Sequence, residues 1–193
     1  MKPEPLDRRL RAWLHSSGSL SRRIAAAFAG FEVQRTRQRS GPARPDEARL
    51  LGTRRVHLRE VVLWAEGRPL VVARSVLPAV QSRLAWRAVR GLGTRPLADL
   101  LFGERAVHRR TLGLVHCPRA GAGVLRRQLA GTAAAADWAG RGAWGRRAVF
   151  THFGVPLLLT EWFSPALAER TPGPREAGRV RGRPGARGQN RRA

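Results

Sequence analysis

The sequence predicts a single domain of α+β class built on an antiparallel sheet. Three observations carry that prediction. Two runs rich in β-branched and large apolar residues, Val56 to Ala65 and Pro69 to Leu77, flank Glu66-Gly67, a hairpin turn with glycine where positive φ is needed. A second such pair, Trp144 to Thr151 and Val155 to Phe163, flanks Phe153-Gly154. Helical patterns fall before and between these hairpins, and strands that arrive as hairpins favour an antiparallel sheet over a doubly wound one.

The remaining elements follow in chain order. Leu6, Leu10, Trp13 and Leu14 recur at helical spacing, with Asp7 placed to cap the N-terminus. A second short helix begins near Ser19 or Ser21 and runs to Phe28. Phe31 and Val33 alternate with polar neighbours, as a strand does. Residues 40–53 are crowded with turn and breaker residues and read as a loop. A helix is expected around Ser82 to Val89, and Thr94 to Phe102 reads as a capped helix with Pro96 in its first turn. Val107 to His116 has the composition of a strand. Residues 124–140, alanine-rich and ending in Gly140, read as a surface helix or an inserted excursion. From Arg170 the chain is rich in Arg, Gly and Pro, so residues 170–193 are expected to be a disordered tail on a domain of residues 1–169.

Composition narrows the function. A chain of 193 residues has room for one domain with a real core. Its single cysteine, Cys117, excludes an internal disulfide and argues against a zinc site. His15, His57, His108, His116 and His152 are scattered without paired metal spacing, so no metal is expected. Against 13 acidic residues stand 37 basic ones, a net charge of +24, and Lys2 is the one lysine. Eight of the arginines and one acid, Glu176, lie from Arg170 onward, so +7 belongs to the tail and +17 to the body. Such a surplus suits nucleic acid, an anionic surface or small acidic substrates. No segment reaches the roughly 18–20 apolar residues of a membrane span. Ser21-Arg22-Arg23 followed by Ile24 to Phe28 imitates a twin-arginine export signal. The apolar stretch stops by Glu32 without a convincing cleavage site, so the segment reads as a mature amphipathic helix.

Two groups of residues could carry chemistry. If Glu66 and Gly67 are the two loop residues, paired positions sum to 133, and Arg59 stands directly opposite Arg74 on a face shared with Val61, Ala65 and Val72. Two guanidinium groups so placed repel, unless an anion lies between them or acids such as Glu60 or Glu66 neutralise them. The residues alone leave both readings open, as well as exposure of both side chains to solvent. Arginine suits carboxylate recognition because its planar fork donates two parallel hydrogen bonds. In the second hairpin, Glu161 lies in the apolar run Leu157 to Phe163, and the same turn geometry sets it opposite Arg146. A plain cross-strand ion pair is the simplest reading. Burial would raise the pKa of Glu161 and make it a proton donor, whereas a nearby arginine would lower it; the residues do not decide between them.

Several segments occur together in order: His57-Leu58-Arg59-Glu60-Val61-Val62-Leu63, Gly67-Arg68-Pro69, Ala73-Arg74-Ser75-Val76-Leu77-Pro78, Gly93-Thr94-Arg95-Pro96-Leu97, Trp144-Gly145-Arg146-Arg147 and Pro156-Leu157-Leu158-Leu159-Thr160-Glu161. Over residues 10–167 the combination resembles the chorismate–pyruvate lyase family, enzymes that open the ubiquinone pathway in bacteria. The resemblance implies a six-stranded antiparallel sheet with helices and helical flaps closing over a buried ligand. It implies a carbon–oxygen lyase that converts chorismate to 4-hydroxybenzoate and pyruvate as a cytoplasmic monomer without a cofactor. By position, ligand contacts fall on Arg59, Leu97 and Glu161, and a further contact, usually methionine, falls on Leu20. A backbone contact at Leu20 would survive that change and a side-chain role would not. The resemblance gives Arg59 and the Leu97 amide the ring carboxylate and Glu161 the oxygen that becomes the phenol; Arg74 also matches a family arginine, and we assign it to the enolpyruvyl carboxylate. About twenty extra residues fall near 120–142, where an insertion bears on lid closure, and the basic tail is also extra.

Two other function classes compete. The same fold serves as the effector-sensing domain of some transcription regulators, which follow a winged-helix domain; only about fifty residues precede the first hairpin here. A nucleic-acid-binding protein is suggested by charge alone. Such modules usually expose aromatics on a basic face, yet the chain has no tyrosine and its tryptophans sit in core-like patterns. No specific nucleic acid is expected as partner, though the tail suits weak, nonspecific binding of polyanions.

Overall fold

The computed structural model describes residues 6–103, 107–117, 123–132, 138 and 142–173. Its centre is a six-stranded antiparallel sheet of β1 (Glu32–Pro42), β2 (Arg55–Ala65), β3 (Arg68–Pro78), β4 (Val107–Cys117), β5 (Ala143–His152) and β6 (Val155–Phe163), in the order β1-β2-β3-β6-β5-β4. Both expected hairpins are present. At their tips Glu66 and Gly67, and Phe153 and Gly154, all have positive φ, as the tight two-residue turn requires.

The helices cover both faces. On one face lie α1 (Arg8–His15) and α2 (Leu20–Ala27), capped by the side chains of Asp7 and Ser19. They bury Trp13, Leu14, Leu20 and Ile24 against Val61, Leu63, Val71 and Phe163. Farther along the same face, α4 (Arg87–Arg90) and α5 (Leu97–Gly103) bury Trp86, Val89, Leu97 and Leu101 against Leu77, Ala148, Phe150 and Leu157. The helix expected over 82–89 is instead a 3₁₀ turn, Val80–Arg83, and the single turn of α4, broken around Leu84. The gap between these two apolar clusters is where a cavity forms.

On the opposite face, α3 (Pro45–Leu51) and α6 (Gly123–Gln128) close smaller clusters with Leu58, Val76 and Leu158, and with Val62, Val72 and Trp162. The expected loop over 40–53 therefore holds a helix. Its breakers are the helix boundaries: Pro45 and the acids Asp46 and Glu47 occupy the first turn, and Gly52 ends it in the left-handed conformation at φ 66°. Where a surface helix or an inserted excursion is expected, α6 is a helix, and its described surroundings cover core, because Leu125, Leu129 and Trp138 are buried. These three side chains pack with Val62, Val72 and Trp162, on the sheet face away from the cavity.

The tail does not begin at Arg170. The Arg170 carbonyl accepts a 2.8 Å hydrogen bond from Trp13 Nε1, and the Gly173 carbonyl accepts from Arg23. The tail from 174 to 193 lies outside the described residues. Among the described residues, no helix is long and apolar enough to cross a membrane.

The first hairpin corrects the expected register. Ala65 pairs with Arg68 and Trp64 with Pro69, as a sum of 133 requires, but Leu63 pairs with Val71 and the ladder beyond is displaced by one. Leu70 is the extra residue. Pro69 has no N–H to extend the ladder, while the Leu70 carbonyl accepts from the Ser164 N–H and its buried side chain joins the α1–α2 cluster. A one-residue slip sends every later side chain to the other face. Arg59 thus pairs with Ser75, and Arg74 pairs with Glu60.

Candidate active site

Alternation along four strands sends Arg59 and Val61, Ala73 and Ser75, Ala148 and Phe150, and Leu159 and Glu161 into one concavity beneath α2 and α5. Its wall is mainly apolar, with the polar side chains of Arg59, Ser75, Arg109, Arg146 and Glu161 set into it, a composition that suits a small-molecule site. Leu20 at the start of α2 and Leu97 at the start of α5 form part of its roof. Four of the five expected site residues, Arg59, Glu161, Leu97 and Leu20, therefore meet around one space. Arg74 does not.

Arg59 is 2% exposed. Its Nη2 donates to the carbonyls of Gly93 (3.1 Å) and Arg95 (2.8 Å) in the turn before α5, while its Nε is buried without a partner. Among the described residues no carboxylate lies within 4 Å of it. Burial, reinforced by the like charge of Arg35, pulls its pKa down to about 10. A buried cation left without an anion is costly, and a carboxylate entering the cavity removes that cost.

Glu161 pairs across the second hairpin with Arg146, as the turn geometry predicts. Arg146 Nε donates to Glu161 Oε2 at 2.6 Å, and Arg146 Nη1 donates to the Ser16 carbonyl at 2.6 Å. The simple ion pair is thus real, and it also orients the acid. Among the described residues Glu161 Oε1 accepts no hydrogen bond, so one oxygen of a fixed carboxylate remains for a ligand. Gly145 sets the backbone beside it, because a Cβ there would collide with the Glu161 carbonyl oxygen.

Arg74 occupies the opposite face. It donates to both oxygens of Glu47 (2.7 and 2.9 Å) and to Glu60 (2.6 Å), with all three side chains buried. Burial lowers its pKa, but the two carboxylates outweigh that and hold it above the ordinary arginine value. This network, extended toward the surface by Arg127 at 3.7 Å from Glu60 and Arg44 at 4.0 Å from Glu47, has the sheet between it and the cavity. The expected apposition with Arg59 is overturned by the Leu70 bulge.

The sequence reading missed Arg109. It pairs with Phe150 on β5, which aims it at the cavity face, and its Cζ lies 5.9 Å from that ring centroid. The signal was the strand of Val107 to His116 itself, but its partner and register depend on β5, thirty or more residues later. The histidines lie elsewhere, and among the described residues no group of three or more His, Cys, Asp or Glu could hold a metal.

The sequence profile described as chorismate lyase matches residues 4–171. The chain belongs to the chorismate lyase family. Within it, a probable chorismate pyruvate-lyase of Azoarcus sp. (strain BH72) is 44% identical over 174 residues, covering 86% of this chain and 88% of that one. A second, from Aromatoleum aromaticum, is 41% identical over 171 residues, covering 86% and 91%. Among solved structures, PhnF from Mycobacterium smegmatis aligns with a TM-score of 0.54 at 14% identity, covering 83% of this chain and 68% of that one. That likeness concerns fold alone. The lyase family and the sheet with its roofed cavity agree with the expectation drawn from the motifs.

Proposed function

We propose that this chain is a chorismate pyruvate-lyase, releasing 4-hydroxybenzoate and pyruvate at the start of ubiquinone biosynthesis. The observation that carries the reading is Arg59: a buried guanidinium on a cavity wall with no carboxylate beside it among the described residues. Its position matches the family's ligand arginine, and its surroundings suit a small carboxylate. Arg59 and the Leu97 amide take the ring carboxylate, with Leu20 closing the roof above. Glu161 meets the ring hydroxyl that becomes the phenol.

The reaction needs little machinery. The ether bond between the ring and the enolpyruvyl oxygen breaks, the ring loses one proton as it becomes aromatic, and the departing enol gains one to become pyruvate. Aromatisation drives the sequence downhill. The residues hold the ring in a reactive pose and meet its charge in a water-poor space. Glu161, oriented by Arg146, assists proton movement or steadies developing charge at its free oxygen. No step calls for a nucleophile or cofactor, and the enzyme acts as a cytoplasmic monomer on this reading.

The test mixes the purified full-length chain with chorismate and follows both products. Equal appearance of pyruvate and 4-hydroxybenzoate is the expected result. Formation of 3-hydroxybenzoate would keep the scaffold and change the product, and unchanged chorismate would reject the lyase reading.

A further inference from the structure

We propose that Arg109 is the second carboxylate-binding residue of the cavity, engaging the enolpyruvyl carboxylate of the substrate and not the carboxylate of the aromatic product. The inference rests on the lyase reading of the site and deepens it, because it assigns the discrimination between substrate and product to one side chain.

The charge pattern on the cavity wall leads there. Three guanidinium groups line it, Arg59, Arg109 and Arg146, together with one carboxylate, Glu161. Arg146 is committed to Glu161 through its 2.6 Å hydrogen bond. Arg59 and Arg109 are left, and among the described residues neither has a carboxylate within 4 Å. Two unpaired cations on one wall suit a ligand with two carboxylates. The ring acid of 4-hydroxybenzoate can satisfy one of them only.

Position separates their roles. Arg59 sits deep on β2, tied to the Gly93 and Arg95 carbonyls, whereas Arg109 lies on edge strand β4 with much of its side chain toward solvent. Its guanidinium is carried over the Phe150 ring, which is itself met edge-on by the exposed Phe102 at 6.4 Å. Partial burial at the cavity edge and the like charge of Arg146 weaken its hold on its proton while Glu161 strengthens it, so the Arg146–Glu161 pair lies within its electrostatic reach. An anion arriving at that spot relieves both effects. A residue at the mouth also suits the part of the substrate that leaves first, since its partner departs with pyruvate.

The test compares two constants in two variants. For Arg109→Gln, the KM for chorismate is expected to rise at least tenfold while the Kd for 4-hydroxybenzoate stays within threefold of the unmodified protein. Arg109→Lys, which keeps the charge without the fork, should recover part of the loss in KM. Equal weakening of chorismate and 4-hydroxybenzoate would assign Arg109 a merely structural role, and no change in either would remove it from the site; each overturns the proposal. Should the unmodified protein bind chorismate without converting it, the lyase reading fails separately. The same comparison made with dissociation constants then still decides the role of Arg109.

Discussion

Arg59 and Arg74, placed near the middle of adjacent strands, point to opposite faces of the sheet because one extra residue, Leu70, displaces their ladder. One is left without an anion beside a cavity, and the other is enclosed by two carboxylates. Chemically identical side chains therefore meet opposite surroundings, one lining the cavity and one closed in by acids. At the displacement Pro69 has no N–H for the ladder, and the Leu70 carbonyl accepts instead from the Ser164 N–H.

Arg74→Leu is expected to destabilise the fold by about 3–5 kcal/mol, since Glu47 and Glu60 would remain buried with only the longer ion pairs to Arg44 (4.0 Å) and Arg127 (3.7 Å). The kcat/KM of the molecules that stay folded should change less than threefold. Denaturant unfolding and steady-state kinetics on the same sample check both parts. A stable but inactive variant would return Arg74 to the site.

The same network predicts acid behaviour. Burial raises the pKa of Glu47, but hydrogen bonds from Arg74 and the Arg44 N–H outweigh it and hold the carboxyl below its ordinary 4.5. A carboxyl with a depressed folded pKa contributes stability above its unfolded pKa and loses it as pH falls through the folded value. Unfolding free energy should therefore drop below about pH 4.5. In Arg74→Leu the deficit relative to the unmodified protein should shrink over that window, because burial, the largest influence on Glu47, is then opposed by Arg44 alone. A constant deficit from pH 7 to pH 3 would contradict this.

Much of this arrangement was legible from residues. The turns Glu66-Gly67 and Phe153-Gly154 and the caps Asp7 and Ser19 are local signals, and the Arg146–Glu161 pairing follows from one turn length. The Arg59–Arg74 apposition failed because the bulge at Leu70 depends on contacts with Ser164, far along the chain. The helix Pro45–Leu51 was hidden because the residues that start and stop a short helix also mark loops. Arg109 escaped notice because strand β4 has no tight turn to fix its register; its partner β5 follows a long excursion.

Gly145→Ala should lower kcat by tenfold or more, with a stability loss of about 1–3 kcal/mol. The added methyl meets the Glu161 carbonyl oxygen, so the strand carrying the acid must shift. Thermal melting and kinetics together report the two effects. An unchanged kcat would mean that the placement of Glu161 tolerates such a shift.

Glu161→Gln is expected to reduce kcat by about 10²–10⁴-fold, the usual contribution of a positioned acid–base group. The amide oxygen can still accept from Arg146 Nε, so affinity for 4-hydroxybenzoate should change much less. Full turnover in this variant would remove Glu161 from proton movement.

The most direct measurement is the affinity of 4-hydroxybenzoate for Arg59→Met beside the unmodified protein, each paired with the melting temperature of the ligand-free form. Removing a buried, uncompensated charge should leave that melting temperature equal or higher, while affinity falls by at least about a hundredfold, or about 2.7 kcal/mol. Retained affinity would contradict the account outright. So would a ligand-free variant that melts far below its parent, because Arg59 would then be a structural residue and not the anion-binding group of the cavity.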